Sequence, residues 1–100
     1  MNAIQQLQQL EQYTLKRKQE VLLITAQIGG EPEQVMVFKG FSSSLTRQTA
    51  FDPDVPVLPE NAVIVQIDRL KSPYLPDQPQ YIQTGLDWEQ MRSLLGELGV

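Results

Sequence analysis

An apolar segment that ends at a double glycine constrains the fold of this chain more than any other feature. Within residues 21–28, the even positions carry only apolar side chains, and this period of two is typical of a β-strand with a buried face. Gly29 and Gly30 follow at once, and glycines readily adopt the positive φ angles of a tight turn. The pattern therefore predicts a strand that folds back on itself.

The residues after the double glycine complete a predicted antiparallel hairpin over 20–39. Pro32 has no amide proton to donate, so residues 29–33 are expected to form a connector outside the ladder. The second strand is then predicted over 34–39. Gly40 is predicted to lie at a bulge or a sharp bend.

Capping signals predict a helix at each end of the chain. The capping pairs are Asn2 with Gln5 and Asp87 with Gln90. Apolar residues recur at helical spacing after both pairs, which predicts helices over 3–12 and 87–97.

A third strand is predicted over 61–69, because branched aliphatic residues dominate that stretch, and a further short strand is predicted around 80–83. Since β-branched residues alternate onto both faces of residues 61–69, we expect that strand to be covered on both sides. Together these elements predict a single α+β domain over residues 1–100. It has an N-terminal helix, an antiparallel sheet or small barrel of three to four strands, and a C-terminal helix.

Prolines repeat every three residues in two segments, the spacing of a polyproline II helix. One segment contains Pro53, Pro56 and Pro59, within a long loop predicted over 40–60, and the other contains Pro73, Pro76 and Pro79, within 72–80. Such segments are recognised by SH3-type and WW-type grooves. The intervening apolar residues favour the alternative that both segments pack against this protein's own core.

The composition excludes several classes of function. The chain has no cysteine and no histidine, which excludes disulfides, zinc sites of the usual ligands and any catalytic scheme with a cysteine or histidine base. Asp52, Asp54 and Asp68 lack the spacing of a calcium-binding loop. We therefore expect a protein that is not an enzyme and that binds no cofactor or metal.

The N-terminal residues and the hydropathy of the chain predict its location. The start has neither the basic residues nor the continuous apolar segment of a signal peptide, and no apolar run approaches the ~20 residues of a membrane span. We therefore expect a cytoplasmic protein without a transmembrane segment.

The leading functional hypothesis is a module that binds another protein. The loop from Phe41 to Phe51 is long and semi-apolar, which is typical of a contact surface. Phe41, Leu45, Arg47 and Phe51 are the predicted partner-binding residues.

The alternative hypothesis is a small barrel that binds nucleic acid through a local basic patch. Its predicted contact residues are Lys16, Arg17, Lys18, Lys39 and Arg47. The net charge of −4 argues against nucleic acid as the main partner, because phosphate binding relies on an excess of lysine and arginine. A basic run before a strand is also typical of a solvated edge that prevents sheet pairing.

Several stretches resemble a small family associated with oxygenic phototrophs, shared by cyanobacteria-like sources and chloroplasts. The stretches are FKGFSSSL, TAFDPDVPVLP, IDRL with SPY, and GLDWEQM. The family has no assigned activity, so the resemblance implies no catalytic residue. It implies a cytosolic or stromal setting and a role near the photosynthetic or plastid gene-expression machinery.

Overall fold

The computed structural model describes residues 2–46 and 57–100, which form a sheet flanked by an N-terminal and a C-terminal helix. In chain order the elements are α1 (Ala3–Lys16), β1 (Glu20–Ile28), β2 (Glu31–Phe38), β3 (Phe41–Ser44), β4 (Val63–Lys71), β5 (Tyr81–Leu86) and α2 (Trp88–Glu97). The predicted α+β class is confirmed.

The strands described form an open antiparallel sheet in the order β3-β2-β1-β4-β5. This part of the chain contains five strands, where three to four were predicted, and the linear order is that of a sheet rather than of a closed barrel. The unpredicted strand is β3, which lies in the stretch assigned to a long loop. Its sequence, FSSS, has no apolar alternation to reveal it.

The hairpin of β1 and β2 is confirmed, with Gly29 and Gly30 at φ angles of 59° and 84° in its turn. The prediction that Pro32 lies outside the ladder is wrong, because Pro32 pairs with Gln27. In a two-residue hairpin the closing pair exchanges hydrogen bonds and the next pair does not. The missing amide proton of Pro32 is therefore directed away from β1, so no bond of that ladder is lost.

Gly40 produces the predicted bend as a second tight turn. Phe38 pairs with Phe41, and Lys39 and Gly40 between them have φ angles of 50° and 83°. The Gly40 amide donates a hydrogen bond to Thr14 Oγ1 at 2.9 Å, which fixes the turn against the end of α1. A Cβ atom on Gly40 would lie 2.9 Å from Leu15 Cδ2, so a side chain there would have to displace Leu15.

Both helices begin with the predicted capping boxes and pack on the same face of the sheet. α1 extends to Lys16, beyond its predicted end at residue 12. The principal core contains Leu7, Leu10 and Tyr13 of α1, Leu22, Ile24 and Ala26 of β1, Val35 and Val37 of β2, Ile67 of β4, and Met91 and Leu95 of α2. The helices therefore cover the face formed by the even positions of β1.

The opposite face of the sheet, called here the open face, has a smaller apolar cluster. Val21, Leu23 and Leu70 are buried there, with Met36, Phe38 and Tyr74 packed around them. The third predicted strand, β4, lies inside the sheet between β1 and β5. The prediction that it is covered on both sides is wrong, since its Val63 and Val65 are exposed. A register shift opposite Thr25 and Ala26 interrupts the alternation in that strand.

The two proline segments behave differently. Pro53 and Pro56 lie outside the described residues, but Leu58, next to Pro59, is fully buried in the principal core. The prediction that the second segment packs on the core is wrong for most of its length, because only Tyr74 joins an apolar cluster while Pro73 and Pro76 are exposed. A turn in which the Gln78 amide donates to the Leu75 carbonyl interrupts the extended segment.

The described helices are too short or too polar to cross a bilayer.

Replacing Gly40 with alanine is expected to destabilise the protein more than replacing Gly85. Both glycines have positive φ, so each alanine costs roughly 1–2 kcal/mol in backbone strain. Only the Cβ at position 40 meets Leu15, and displacing Leu15 adds about 1 kcal/mol to the destabilisation by Gly40→Ala. Urea denaturation measures both losses. Equal losses would contradict the prediction, and a Leu15→Ala background should abolish the difference.

Candidate functional site

Lysine and arginine residues gather at one end of the sheet. β1 begins where β2 and β4 end, since all these neighbours are antiparallel. This end, called here the basic end, carries Lys16, Arg17 and Lys18 at the α1–β1 junction, Lys39 in the β2–β3 turn and Lys71 at the end of β4. Residues far apart in sequence thus form one positively charged region on a chain whose net charge is −4.

A surface cleft of about 800 Å³ opens at the basic end, on the side of α1. Its walls include Leu15, Lys16, Arg17, Lys18, Lys71 and Ile82. We call it the basic cleft. Cations and apolar side chains therefore face the same space.

Lys16 has a structural role in this region. Its Nζ atom donates a hydrogen bond to the carbonyl of Leu98 at 2.8 Å, and Leu98 is the C-cap residue of α2. Lys16 also lies in the last turn of α1. Because a helix carries partial negative charge at its C-terminus, this ammonium stabilises the ends of both helices.

Glu20, Arg69 and Tyr13 form a buried polar cluster beside the basic cleft. Arg69 Nε and one guanidinium NH₂ group donate to the two carboxylate oxygens of Glu20, at 2.8 and 3.1 Å. The Tyr13 hydroxyl donates to Glu20 Oε1 at 2.7 Å. The carboxylate is thus fully engaged by its neighbours, and the guanidinium compensates its charge.

The environment of this cluster shifts the pKa values of Tyr13 and Glu20 further from neutrality. Burial, together with the hydrogen bond to Glu20, raises the pKa of Tyr13 to about 12. Burial alone would raise the pKa of Glu20, but the hydrogen bonds from Arg69 and Tyr13 outweigh it and hold that pKa below its usual value. With these pKa values neither group changes its protonation state near neutral pH, so the cluster is suited to support the sheet rather than to acid–base chemistry.

An aromatic row crosses the open face at the basic end. Phe41 pairs with Phe38, and Phe38 packs against the cluster that contains Val21 and Leu70. Val21 pairs with Leu70, and Leu70 pairs with Tyr81. The two outer members, Phe41 and Tyr81, are 78% and 51% exposed. A continuous apolar strip across neighbouring strands therefore ends in two largely solvated rings.

Lys39 connects the basic end to this aromatic row. Its Nζ atom lies 5.2 Å from the centroid of the Phe38 ring, within the range of a cation–π contact. The positive charge thus lies beside Phe38, the partly buried ring that pairs with the exposed Phe41.

The structure separates the residues predicted to bind a protein partner. Phe41 is exposed in the aromatic row, whereas Leu45 lies beyond the other end of β3 and is also exposed. Arg47 and Phe51 lie outside the described residues. Of the residues predicted to bind nucleic acid, Lys16, Arg17 and Lys18 are exposed at the cleft and Lys39 lies in the adjoining turn.

Sequence reasoning missed Tyr81 and Lys71 as members of this region, and missed the buried pair of Glu20 and Arg69. Tyr81 and Lys71 reach the basic end only through strand pairing, which no local pattern specifies. The buried pair had a detectable signal, since Glu20 and Arg69 each adjoin an apolar strand segment. A charge in such a position requires a partner.

No group of acidic side chains in residues 2–46 and 57–100 is arranged to hold a metal ion. Asp68 instead accepts hydrogen bonds from the Gly85 amide at 2.9 Å and from Gln66 Nε2 at 3.1 Å. Asp52 and Asp54 lie outside those ranges.

Comparison with known proteins identifies one matching family. The family is described as "Domain of unknown function (DUF7734)" and matches residues 7–95, from the first half of α1 to the last turns of α2. No curated protein and no solved structure matches the chain.

Replacing Glu20 with glutamine is expected to cost roughly 3 kcal/mol at neutral pH, because Arg69 then lacks its counter-charge in a mostly buried site. The folded-state pKa of Glu20 is lowered, so its contribution is present above the unfolded pKa, about 4.3, and is lost as pH falls through the folded value. The variant should therefore lose less stability than wild type on acidification.

Urea denaturation at neutral and acidic pH tests this expectation. Glu89→Gln is the matched control, because the Glu89–Arg92 pair is exposed and its loss should cost no more than about 0.5 kcal/mol. If the free energies of unfolding of wild type and Glu20→Gln fell equally on acidification, Glu20 would contribute nothing to the loss of stability in acid.

Proposed function

The chain belongs to the DUF7734 family of domains of unknown function, and we propose that it is a non-enzymatic module that binds another protein through the open face of its sheet. The observation that carries this proposal is the aromatic row, which ends in Phe41, 78% exposed, and Tyr81, 51% exposed. Large aromatic side chains contribute most to the energy of protein interfaces.

The arrangement of layers supports this proposal. Both helices cover one face, and on the other face Val21 and Leu70 are buried in a small cluster whose partly buried members are Met36, Phe38 and Tyr74. A partner seated on the aromatic row would extend this small cluster and remove the exposed rings from water. Each Å² of apolar surface so buried contributes about 25 cal/mol.

The non-enzymatic part of the proposal has two supports. The sequence contains neither histidine nor cysteine. In addition, Tyr13 and Glu20 are held by each other and by Arg69, with pKa values shifted away from neutrality. A proton-transfer catalyst requires a group that titrates near the working pH.

The proposal also includes a setting. The resemblance of FKGFSSSL and TAFDPDVPVLP to a family of oxygenic phototrophs suggests a partner in the photosynthetic or plastid gene-expression machinery. A cytoplasmic or stromal compartment agrees with that setting.

The double variant Phe41→Ala, Tyr81→Ala is expected to lose its partner in affinity purification from a native lysate. Removing two interface aromatics should weaken binding at least about tenfold, since each such residue contributes more than about 1 kcal/mol. Mass spectrometry of the recovered proteins is the measurement.

Val63→Ala is the matched control, because Val63 is an exposed apolar residue of β4 near the opposite end of the sheet. Unchanged urea midpoints should establish that all variants are folded. Recovery of the same proteins by wild type, control and double variant would remove the aromatic row from the proposal.

A second candidate function, binding of single-stranded nucleic acid, is favoured by one observation: Lys39 lies over the Phe38 ring of the aromatic row, in a turn that is hydrogen-bonded to Thr14, two residues before the cations of the α1–β1 junction. Single strands are bound by aromatic side chains that stack on bases and cations that contact phosphates. The net charge of −4 opposes this candidate, so any binding would depend on this region alone.

If this candidate is correct, oligouridine binding should weaken steeply between roughly 50 and 200 mM salt. The variant Lys18→Gln, Lys39→Gln should reduce the slope of log affinity against log salt by about 1.4, since each single-strand phosphate contact contributes about 0.7. Arg92→Gln, on the exposed surface of α2, should leave the slope unchanged. Absence of binding at low salt would exclude the candidate.

A further inference from the structure

Helix capping explains only part of the positive charge around the basic cleft. Lys16 caps α2, but among the described residues no ion pair joins Arg17, Lys18 or Lys71 to an acid. Glu20 lines the cleft, yet both of its carboxylate oxygens are bound by Arg69. The charge of Glu20 also acts on Arg17, so the cleft presents several cations that its one carboxylate offsets only in part.

The dimensions of the basic cleft suit a small molecule. Its volume of about 800 Å³ lies within the range of roughly 300–1,000 Å³ that is usual for ligand sites. Leu15 and Ile82, both partly exposed, form apolar walls beside Lys18 and Lys71. An inorganic anion would leave these walls in contact with water, whereas a ligand with an apolar part would cover them.

The position of the cleft distinguishes it from the proposed protein-binding surface. Leu15 and Lys16 place it on the side of α1, whereas the aromatic row lies on the open face. The backbone around the cleft is fixed, because the Ser72 amide donates to the Gln19 carbonyl at 2.9 Å and so links β4 to the start of β1. Because the backbone is preformed, the ordering on binding is confined to the exposed side chains of Arg17, Lys18 and Lys71.

We propose that the basic cleft binds a small phosphate-bearing molecule with an apolar part. Arg17, Lys18 and Lys71 contact the phosphate, and Leu15 and Ile82 contact the apolar part. Arginine donates paired hydrogen bonds to phosphate oxygens, and lysine supplies a compact positive charge. A soluble phosphomonoester and an anionic lipid headgroup share this chemistry.

Titration of the ¹⁵N-labelled full chain with inorganic phosphate and with hexyl phosphate tests the proposal by NMR. Hexyl phosphate should shift the amides of Lys18, Gln19, Lys71 and Ser72, which line the cleft. It should bind at least about tenfold more tightly than inorganic phosphate, because burial of two or more CH₂ groups contributes at least about 1.6 kcal/mol. Equal affinities would overturn the apolar part of the proposal.

A matched pair of variants separates site binding from net charge. Lys18→Gln, Lys71→Gln should weaken hexyl phosphate binding at least about tenfold. Arg92→Glu changes the net charge by the same two units at a residue that does not line the cleft, and it should bind as wild type does. Equal weakening by both variants, or no amide shifts at millimolar ligand, would overturn the proposal.

Two further titrations assign the source of the phosphate. Binding to vesicles that contain phosphatidic acid, but not to neutral phosphatidylcholine vesicles, would support a lipid headgroup if that binding requires Lys18 and Lys71. Binding of oligouridine without binding of hexyl phosphate would overturn the small-molecule proposal in favour of nucleic acid. Because Phe41 and Tyr81 are intact in these variants, failure here is independent of the proposed protein interaction.

Discussion

The alternation of side chains along β1 is the constraint on which the rest of the structure depends. β1 pairs with β2 on one edge and with β4 on the other, so its side chains can point only to the two faces of the sheet. Successive side chains alternate between the face under the helices and the open face. Leu22, Ile24 and Ala26 are fully buried under the helices. A slip of one residue would exchange the two faces and place these side chains on the open face. The glycine turn that follows β1 prevents such a slip, because a two-residue turn specifies the register of its hairpin.

The antiparallel order explains why charge accumulates at one end of the molecule. Both helices run toward the end where β1 begins, as the contact between Lys16 and Leu98 shows. Their C-terminal carbonyl groups favour cations there. The opposite end carries Glu31 and Glu33 at the start of β2. A chain whose net charge is −4 thus has a positive region at one end, which the net charge alone does not reveal.

Two surfaces of different chemistry adjoin this basic end. The aromatic row on the open face is suited to a macromolecular partner, because Phe41 and Tyr81 are exposed while the residues between them are packed. The basic cleft on the helical side is a solvent-open depression of about 800 Å³ that is lined by cations and apolar side chains. Glu20 lines the cleft, and its hydrogen bonds with Arg69 link β1 to β4 at this end of the sheet.

Local sequence signals determined the elements of this protein that depend on short-range physics. The capping pairs at Asn2 and Asp87, the double-glycine turn and the period of β1 were readable because each involves residues within a few positions of one another. β3 escaped detection because its serines form a strand only when the turn at Gly40 aligns them with β2. Only the tertiary structure decided that Lys71 and Tyr81 join Lys18 and Phe41 at one end. Strand order sets that proximity, and pairing between distant strands leaves no periodic trace in the sequence.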